Sequence, residues 1–342
     1  MKFYPAVFFL LTVSKFCSAQ ELPDHDTTYY KSFAKSLFGR FYFSQKYTRF
    51  ELERDAPVSR FVYKPNTNLN MGVGFTYQSL TVNLGYGFGF LNPDRDKGKT
   101  KYIDLQSHIF GRKWSIDLMG QFYKGYYLAP KGLASNSANN YYIRPDIRLN
   151  IMGIAGYRLF NPQKFSYRAA FVQNEWQKKS AGSFLAGAEV YYGVIRGDSS
   201  LVPTNLQENY AQKDVKNLRF VRIGPGMGYA HTFVFKKSLF FTASLTGSLG
   251  VEFTRQNTVG GERDKVSVNP GYIYRLVGGY NTGNINFSLS LIGNSLIVKS
   301  ASSVNKYVIS AGNYRLTIAK RFTPGPKLKR KLRPLDKFMQ RK

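Results

Sequence analysis

The chain has 342 residues, of which 43% are hydrophobic and 16% aromatic, and it carries a formal charge of +29. Its single cysteine, Cys17, lies in the N-terminal segment, which excludes a disulfide framework and thiolate chemistry from everything that follows. Past that segment no run is long and apolar enough for a membrane helix, so a helical membrane protein is excluded as well.

Residues 1–19 read as a cleavable secretory signal. Lys2 precedes an apolar run from Phe3 to Val13, and Cys17-Ser18-Ala19 places small residues before Gln20, so cleavage is expected after Ala19. Pro5 and Lys15 keep the run short of the roughly 20 apolar residues a membrane helix requires. Lys15 and Phe16 stand where a lipoprotein signal wants small or aliphatic residues, which disfavours acylation of Cys17. Export turns the positive charge away from nucleic acid and toward the phosphates of lipopolysaccharide and phospholipid head groups. Residues 20–36 form a leader. Glu21–Thr28 is its polar part, and Tyr30, Phe33 and, at the barrel's first residue, Leu37 then fall at helical spacing and allow a short helix as readily as a lead-in to the first strand.

From residue 37 to residue 322 the period is two. Leu80, Val82, Leu84, Tyr86, Phe88 and Phe90 alternate with Thr81, Asn83, Gly85, Gly87 and Gly89. That gives one greasy face and one small or polar face over the ~9–11 residues of a membrane-crossing strand. The pattern returns at Trp114–Phe122, where Ser115, Asp117 and Gln121 intervene, and at Leu239–Phe253, where Thr242, Ser244, Thr246 and Ser248 do. From Ile147 to Leu159 the apolar residues alternate with Arg148, Asn150 and Arg158. A β-sandwich would also alternate, but with shorter strands. Short connections take turns with long ones, and tyrosine pairs such as Tyr126-Tyr127 sit near strand ends. The expected fold is all-β, a closed antiparallel transmembrane β-barrel of the outer-membrane type with about twelve strands, within a range of ten to fourteen. One stretch breaks the alternation. Phe165–Gln173 and Phe184–Ile195 both look like strands where a single crossing fits, which makes Asn174–Ser183 a bent excursion.

Residues 323–342 form a basic tail with Lys327, Lys329, Arg330, Lys331, Arg333, Lys337, Arg341 and Lys342 against Asp336. Such a run is a solvated extension first, with peptidoglycan or a periplasmic protein as its candidate partners. Phe322 ends the last strand, and an aromatic-ended terminal strand resembles the signal read by the outer-membrane assembly machinery.

The polar strand faces hold the candidate chemistry. Arg40, Asp104, His108, Asp117, Arg148, Arg158, Arg168, Glu189, Arg222, Glu252, Arg275 and Arg315 are all expected to line the lumen. Arginines outnumber carboxylates, and charges confined in a lumen act on one another strongly. Two readings follow, a pore or channel for small solutes, anionic ones included, or a non-conducting structural or interaction barrel plugged by its own ion pairs. The second would bind lipopolysaccharide, peptidoglycan or a partner protein. A lipid-modifying enzyme is a third reading, and it lacks its parts. His25 is in the leader, His231 shares the apolar face with Tyr229 and Phe233, and no serine lies at matching depth on neighbouring apolar faces. The chain is therefore not expected to be an enzyme, and no cofactor or metal site is read. Asn92, Asp94 and Asp96 faintly suggest a calcium loop, but Lys97 stands where its glycine belongs.

Three segments carry a family resemblance. They are Tyr63-Lys64-Pro65-Asn66 before Gly72-Val73-Gly74-Phe75, then Leu84-Gly85-Tyr86-Gly87, and Gln177-Lys178-Lys179-Ser180-Ala181-Gly182-Ser183-Phe184. With these the chain resembles, from about Leu37 to Phe322, a family of Bacteroidetes outer-membrane proteins known as domain of unknown function 4421. The resemblance implies a barrel and names no substrate.

Overall fold

A computed structural model describes residues 25–340 apart from 34–35, 54–60, 79 and 92–93. The secretory signal over 1–19, the start of the leader and the last two residues of the tail lie outside the described residues. In chain order the strands are β1 (Tyr30–Ser32), β2 (Leu37–Leu52), β3 (Phe61–Lys64), β4 (Asn70–Tyr77), β5 (Leu80–Gly87), β6 (Lys101–Asp104), β7 (Ser107–Phe110) and β8 (Trp114–Ala129). There follow β9 (Tyr142–Leu159), β10 (Glu175–Gln177), β11 (Ala181–Arg196), β12 (Asn217–Phe235), β13 (Leu239–Thr258), β14 (Gly261–Asn281), β15 (Ile285–Lys299) and β16 (Lys306–Phe322). A helix, α1 (Pro326–Gln340), ends the described chain. No described helix is long and apolar enough to cross a membrane.

A sheet with one face apolar and the other polar must either stack on a second sheet or close on itself, and closure removes its edges. Here it closes. Antiparallel ladders run β2-β3-β8-β9-β11-β12-β13-β14-β15-β16, and β16 returns to β2 from Tyr307↔Leu52 to Phe322↔Leu37. The short connections 111–113, 236–238 and 282–284 lie at one rim, the turn end, where β2 begins and β16 ends, together with the longer 160–180, while the short 259–260 lies at the opposite rim. The long connections 130–141 and 197–216 gather at the other, the loop end.

The circuit closes with ten strands, not the twelve expected from the strand pattern. The difference arises at a fork. At the loop end β3 lies between β2 and β8, with Phe50↔Tyr63 on one side and Tyr63↔Leu128 on the other. Past Pro65, which has no N–H to give a ladder, the chain continues as β4 and pairs β2 and β5. β6 and β7 pair only β8, and among the described residues no ladder joins either of them to β5. The wall thus has the material for twelve crossings at the turn end and closes with ten at the loop end.

Alternation sets the faces. On β13 Leu239, Phe241, Leu245, Leu249, Val251 and Phe253 are exposed on the outside, while Thr242, Ser244, Thr246, Ser248 and Glu252 are buried inside. The same order holds on β8, where Asp117 and Gln121 point in. It inverts on β9. Leu149, Ile151, Ala155, Tyr157 and Leu159 are buried inside, and Met152, Ile154 and Arg158 are exposed outside.

The broken stretch is now accounted for. β11 is the crossing strand, and Phe165–Gln177 folds into the turn-end mouth through one wide helical turn, Arg168–Val172, and β10. The leader, which the sequence allows as a short helix, instead supplies β1, paired antiparallel to β10 from Tyr30↔Gln177 to Ser32↔Glu175. The basic tail, read as a solvated extension, runs as α1, and its first residues are exposed.

Candidate functional site

The candidate site is the interior of the barrel, built in three levels. At the turn end the segment 160–180 forms a plug with β1. Its neck is stapled where it leaves the wall, since the Phe160 and Asn161 amides both donate to Ser183 Oγ at 3.0 Å. Its base is organised by Gln177, whose Oε1 accepts from the Ser166 amide at 3.0 Å while Nε2 donates to the Lys164 and Lys179 carbonyls at 2.6 and 3.1 Å. Glu175 is buried between Arg112 at 3.5 Å and Arg168 at 3.8 Å and accepts the Ser166 hydroxyl. An unpaired carboxylate at such a depth would be costly, so these partners fix the plug's register.

The plug then reaches the wall on every side. Arg40 donates to the Val172 carbonyl at 2.9 Å from β2. Arg168 and Asn174 both donate to the Gln78 carbonyl in the β4–β5 turn, at 2.9 and 2.8 Å. Tyr167 hydroxyl meets Ser244 Oγ on β13 at 2.6 Å, and Gln173 donates to Ser288 Oγ on β15 at 3.2 Å. Phe171 stacks on Phe110 of β7 at 4.8 Å.

The middle level is ionic. Asp117 on β8 accepts from His108 on β7 at 2.5 Å and from Arg275 on β14, so one carboxylate spans the lumen. Arg275 also lies 5.9 Å from the centre of the Tyr167 ring and so rests on the plug. Glu189 on β11 faces Arg222 on β12 at 3.5 Å and accepts from Tyr157 at 3.2 Å and from Ser248. Arg222 fits because Gly250 and Gly271 leave room. A Cβ on Gly250 would stand 2.7 Å from Arg222 Nε, and one on Gly271 would stand 2.8 Å from Nη2. Beside the fork Asp104 binds Lys46 of β2 at 3.0 Å, Gln121 at 3.0 Å and the Tyr123 hydroxyl at 2.7 Å.

The loop-end level is apolar and amide-rich. Connection 197–216 buries Leu201, Val202, Tyr210 and Val215 against Phe61, Leu149, Ile195 and Leu218. Tyr63 donates to the Leu201 carbonyl at 2.8 Å. Gln256 Oε1 gathers the Ala301 and Ser302 amides at 2.6 and 2.9 Å and so folds 300–305 inward. Glu252 is buried here with Thr254, Asn269 and the Lys299 amide at 3.0–3.1 Å and no cation within ion-pair reach among the described residues.

The sequence of one family describes most of this architecture. The profile of the family described as Domain of unknown function (DUF4421) matches residues 24–322. The chain belongs to that family. A search of curated proteins gives no match. Among solved structures this DUF4421 chain is similar to the outer-membrane protease OmpT from Escherichia coli, at 9% identity and a TM-score of 0.39, over 85% of this chain and 98% of that one. It is similar also to the OmpT of Vibrio cholerae (11%, TM-score 0.26, 85% and 99%) and to the P. putida toluene transporter TodX (7%, TM-score 0.24, 85% and 91%).

Of the expected lumen residues, Arg40, Asp104, His108, Asp117, Glu189, Arg222, Glu252, Arg275 and Arg315 face the interior of the DUF4421 barrel. Arg168 is inside too, but on the plug and not on the wall. Arg148 and Arg158 are corrected. They project outward from β9, with Arg158 over the ring of Phe160 at 5.8 Å. The rule that polar faces point inward assumes a wet lumen. Here the space behind β9 is filled by the plug and by connection 197–216, so the apolar face packs inward as a core would. Sequence reasoning missed Glu175, Arg112 and Lys46, whose partners lie far along the chain. It also missed connection 197–216 as a core element, although four large apolar residues in a loop were the available signal.

Proposed function

We propose that this chain is an outer-membrane barrel, exported through its N-terminal signal, that rests in a closed state and acts through binding at its surfaces and not by steady conduction. The observation that carries this is the filled interior, with a hydrogen-bonded plug at the turn end, ion pairs at mid-height and an apolar cap at the loop end. The exposed apolar girdle outside supports the membrane setting. The short-turn rim then faces the periplasm and the loop rim the exterior. No enzymatic role is proposed. His231 faces lipid beside Tyr229 and Phe233, and His108 is committed to Asp117.

A gated path for small anionic solutes is the second reading, and one observation favours it. Arg40 and Arg315 line adjacent strands with no carboxylate in ion-pair reach among the described residues, and each has a buried Nε without a partner. Planar-bilayer recording of the refolded full chain separates the two. A silent wild type is expected, together with anion-selective steps when 162–179 is replaced by a short glycine-serine linker, and those steps should lose selectivity in Arg315→Ala. Steady conductance by the wild type would sink the closed reading, and a silent linker variant would sink the gated one.

A further inference from the structure

On the outside of the barrel four cations stand in one line across four neighbouring strands. Lys101 on β6 pairs with Lys124 on β8, Lys124 with Arg148 on β9, and Arg148 with Arg196 on β11, each directly opposite in the ladder. All four point outward, three exposed and Arg148 half-buried. Arg219 on β12 continues the row two residues off register, opposite Val194 and not Arg196. Like charges directly opposite on one sheet face destabilise it. Among the described residues none of these five cations is in an ion pair. The next strand pair shows the contrast, because Arg255 on β13 is met by Asp264 on β14 at 2.8 Å.

The row also lies at a defined height. From Arg148 to Arg158, at ~3.3 Å per residue and a strand tilt of about 40°, the rise is roughly 25 Å, the height of the apolar band of an outer-membrane barrel. Outward residues between them and on the neighbours include Met152, Ile154, Val190 and Val221, all exposed to the lipid side. Arg158 opposite Trp114 marks the turn-end edge of the band, and the cation row marks its loop-end edge.

We propose that this row is a binding site for the phosphorylated sugar headgroup of an outer-leaflet glycolipid. Adjacent guanidinium and ammonium groups with free donors suit phosphate oxygens, and arginine does so bidentately. Two phosphates on one headgroup would bridge neighbouring cations and cancel the repulsion that the sheet otherwise holds. The acyl chains would lie down the apolar faces of β8, β9 and β11. The proposal rests on the outer-membrane reading, because that reading puts the loop end in the outer leaflet.

The test uses the full chain refolded in detergent and native mass spectrometry with three probes: bisphosphorylated lipid A, lipid A dephosphorylated by phosphatase, and phosphatidylglycerol. Bisphosphorylated lipid A should be retained at least about tenfold more strongly than the dephosphorylated form, the scale of one hydrogen bond to a charged group. Lys124→Gln/Arg148→Gln/Arg196→Gln should erase that difference. A charge-matched variant at the other edge, Arg158→Gln/Lys236→Gln/Lys320→Gln, should keep it. Equal retention by the row variant and the wild type overturns the site, and so does phosphatidylglycerol bound as strongly as lipid A. Heat-modifiable gel migration and insertion into vesicles are scored on each sample. Their loss in the wild type would mark failure of the membrane reading, separately from failure of the site.

Discussion

The two sides of the wall are held by different means. β12, β13 and β14 are 19, 20 and 21 residues long and pair along nearly their whole length. Across the lumen β3, β6 and β7 have four residues each, β4 and β5 have eight, and β5 is half-buried or exposed along its entire length on both faces. A long ladder is self-supporting, because each added pair satisfies the backbone locally. The forked side lacks that support. It is tied from within by side chains, with Asp104–Lys46 beside the fork, Asp117–Arg275 across the lumen, and Arg168 and Asn174 on the β4–β5 turn. Interior polar contacts in this barrel therefore stand in for missing backbone pairs.

The largest effect should come from cutting the tie between the two sides. Asp117→Ala leaves Arg275 buried without its carboxylate and should cost roughly 3–5 kcal/mol, read as a lower urea midpoint for the refolded protein. Arg255→Ala removes an exposed pair on the regular side and should cost less than about 1 kcal/mol. Equal losses would mean that the interior pair is not what joins the walls. Next comes Lys46→Ala. Asp104 keeps Gln121, Tyr123 and the Gln106 amide, so the loss should be smaller, about 1–3 kcal/mol. It should appear as faster amide exchange in β6 and β7 with β12–β14 unchanged, and uniform acceleration would break the comparison.

How much of this was legible in the sequence follows the same division. β13 could be assigned face by face, because its neighbours are long strands and its inner residues are small and hydroxylated. The alternation from Leu80 to Phe90 is the clearest in the chain, yet the strand it yields, β5, ends at Gly87, with Gly89–Leu91 in a tight helical turn, and it has the least support. Period two reports which way side chains point and not which strands pair. A polar face points inward only where the lumen is wet, and the packing that turns Arg148 and Arg158 outward comes from residues 165–177 and 197–216, far away in sequence. That Lys124, Arg148 and Arg196 stand in one row is visible only once the register is known.

A smaller effect is expected from crowding Arg222. Gly250→Ala places a Cβ 2.7–2.9 Å from Nε, Cγ and Cζ of Arg222, so the guanidinium must shift from Glu189 and Ser248, at about 1–3 kcal/mol. Gly247→Ala on the same strand meets nothing within 4 Å and should be near neutral. If both glycine variants melt alike, the site is not crowded by its charge pair.

The smallest effect concerns the leader on the plug. His25 stacks on Tyr30 at 4.4 Å and lies 3.3 Å from Arg112 Nη1. Burial first, then the Arg112 guanidinium, hold its imidazole below the ordinary histidine value, while Glu175 and Asp26 oppose the shift. The neutral ring is thus the docked form. Docking should be complete above the ordinary value of 6.5 and weaken as pH falls below it, since the undocked leader binds the proton more readily. Limited proteolysis between pH 5 and pH 8 should show leader cleavage rising on the acid side, with that dependence gone in His25→Gln. A pH dependence that survives in the variant would assign the effect to the carboxylates around Arg112 and make the leader one more element held by the plug's ion pairs.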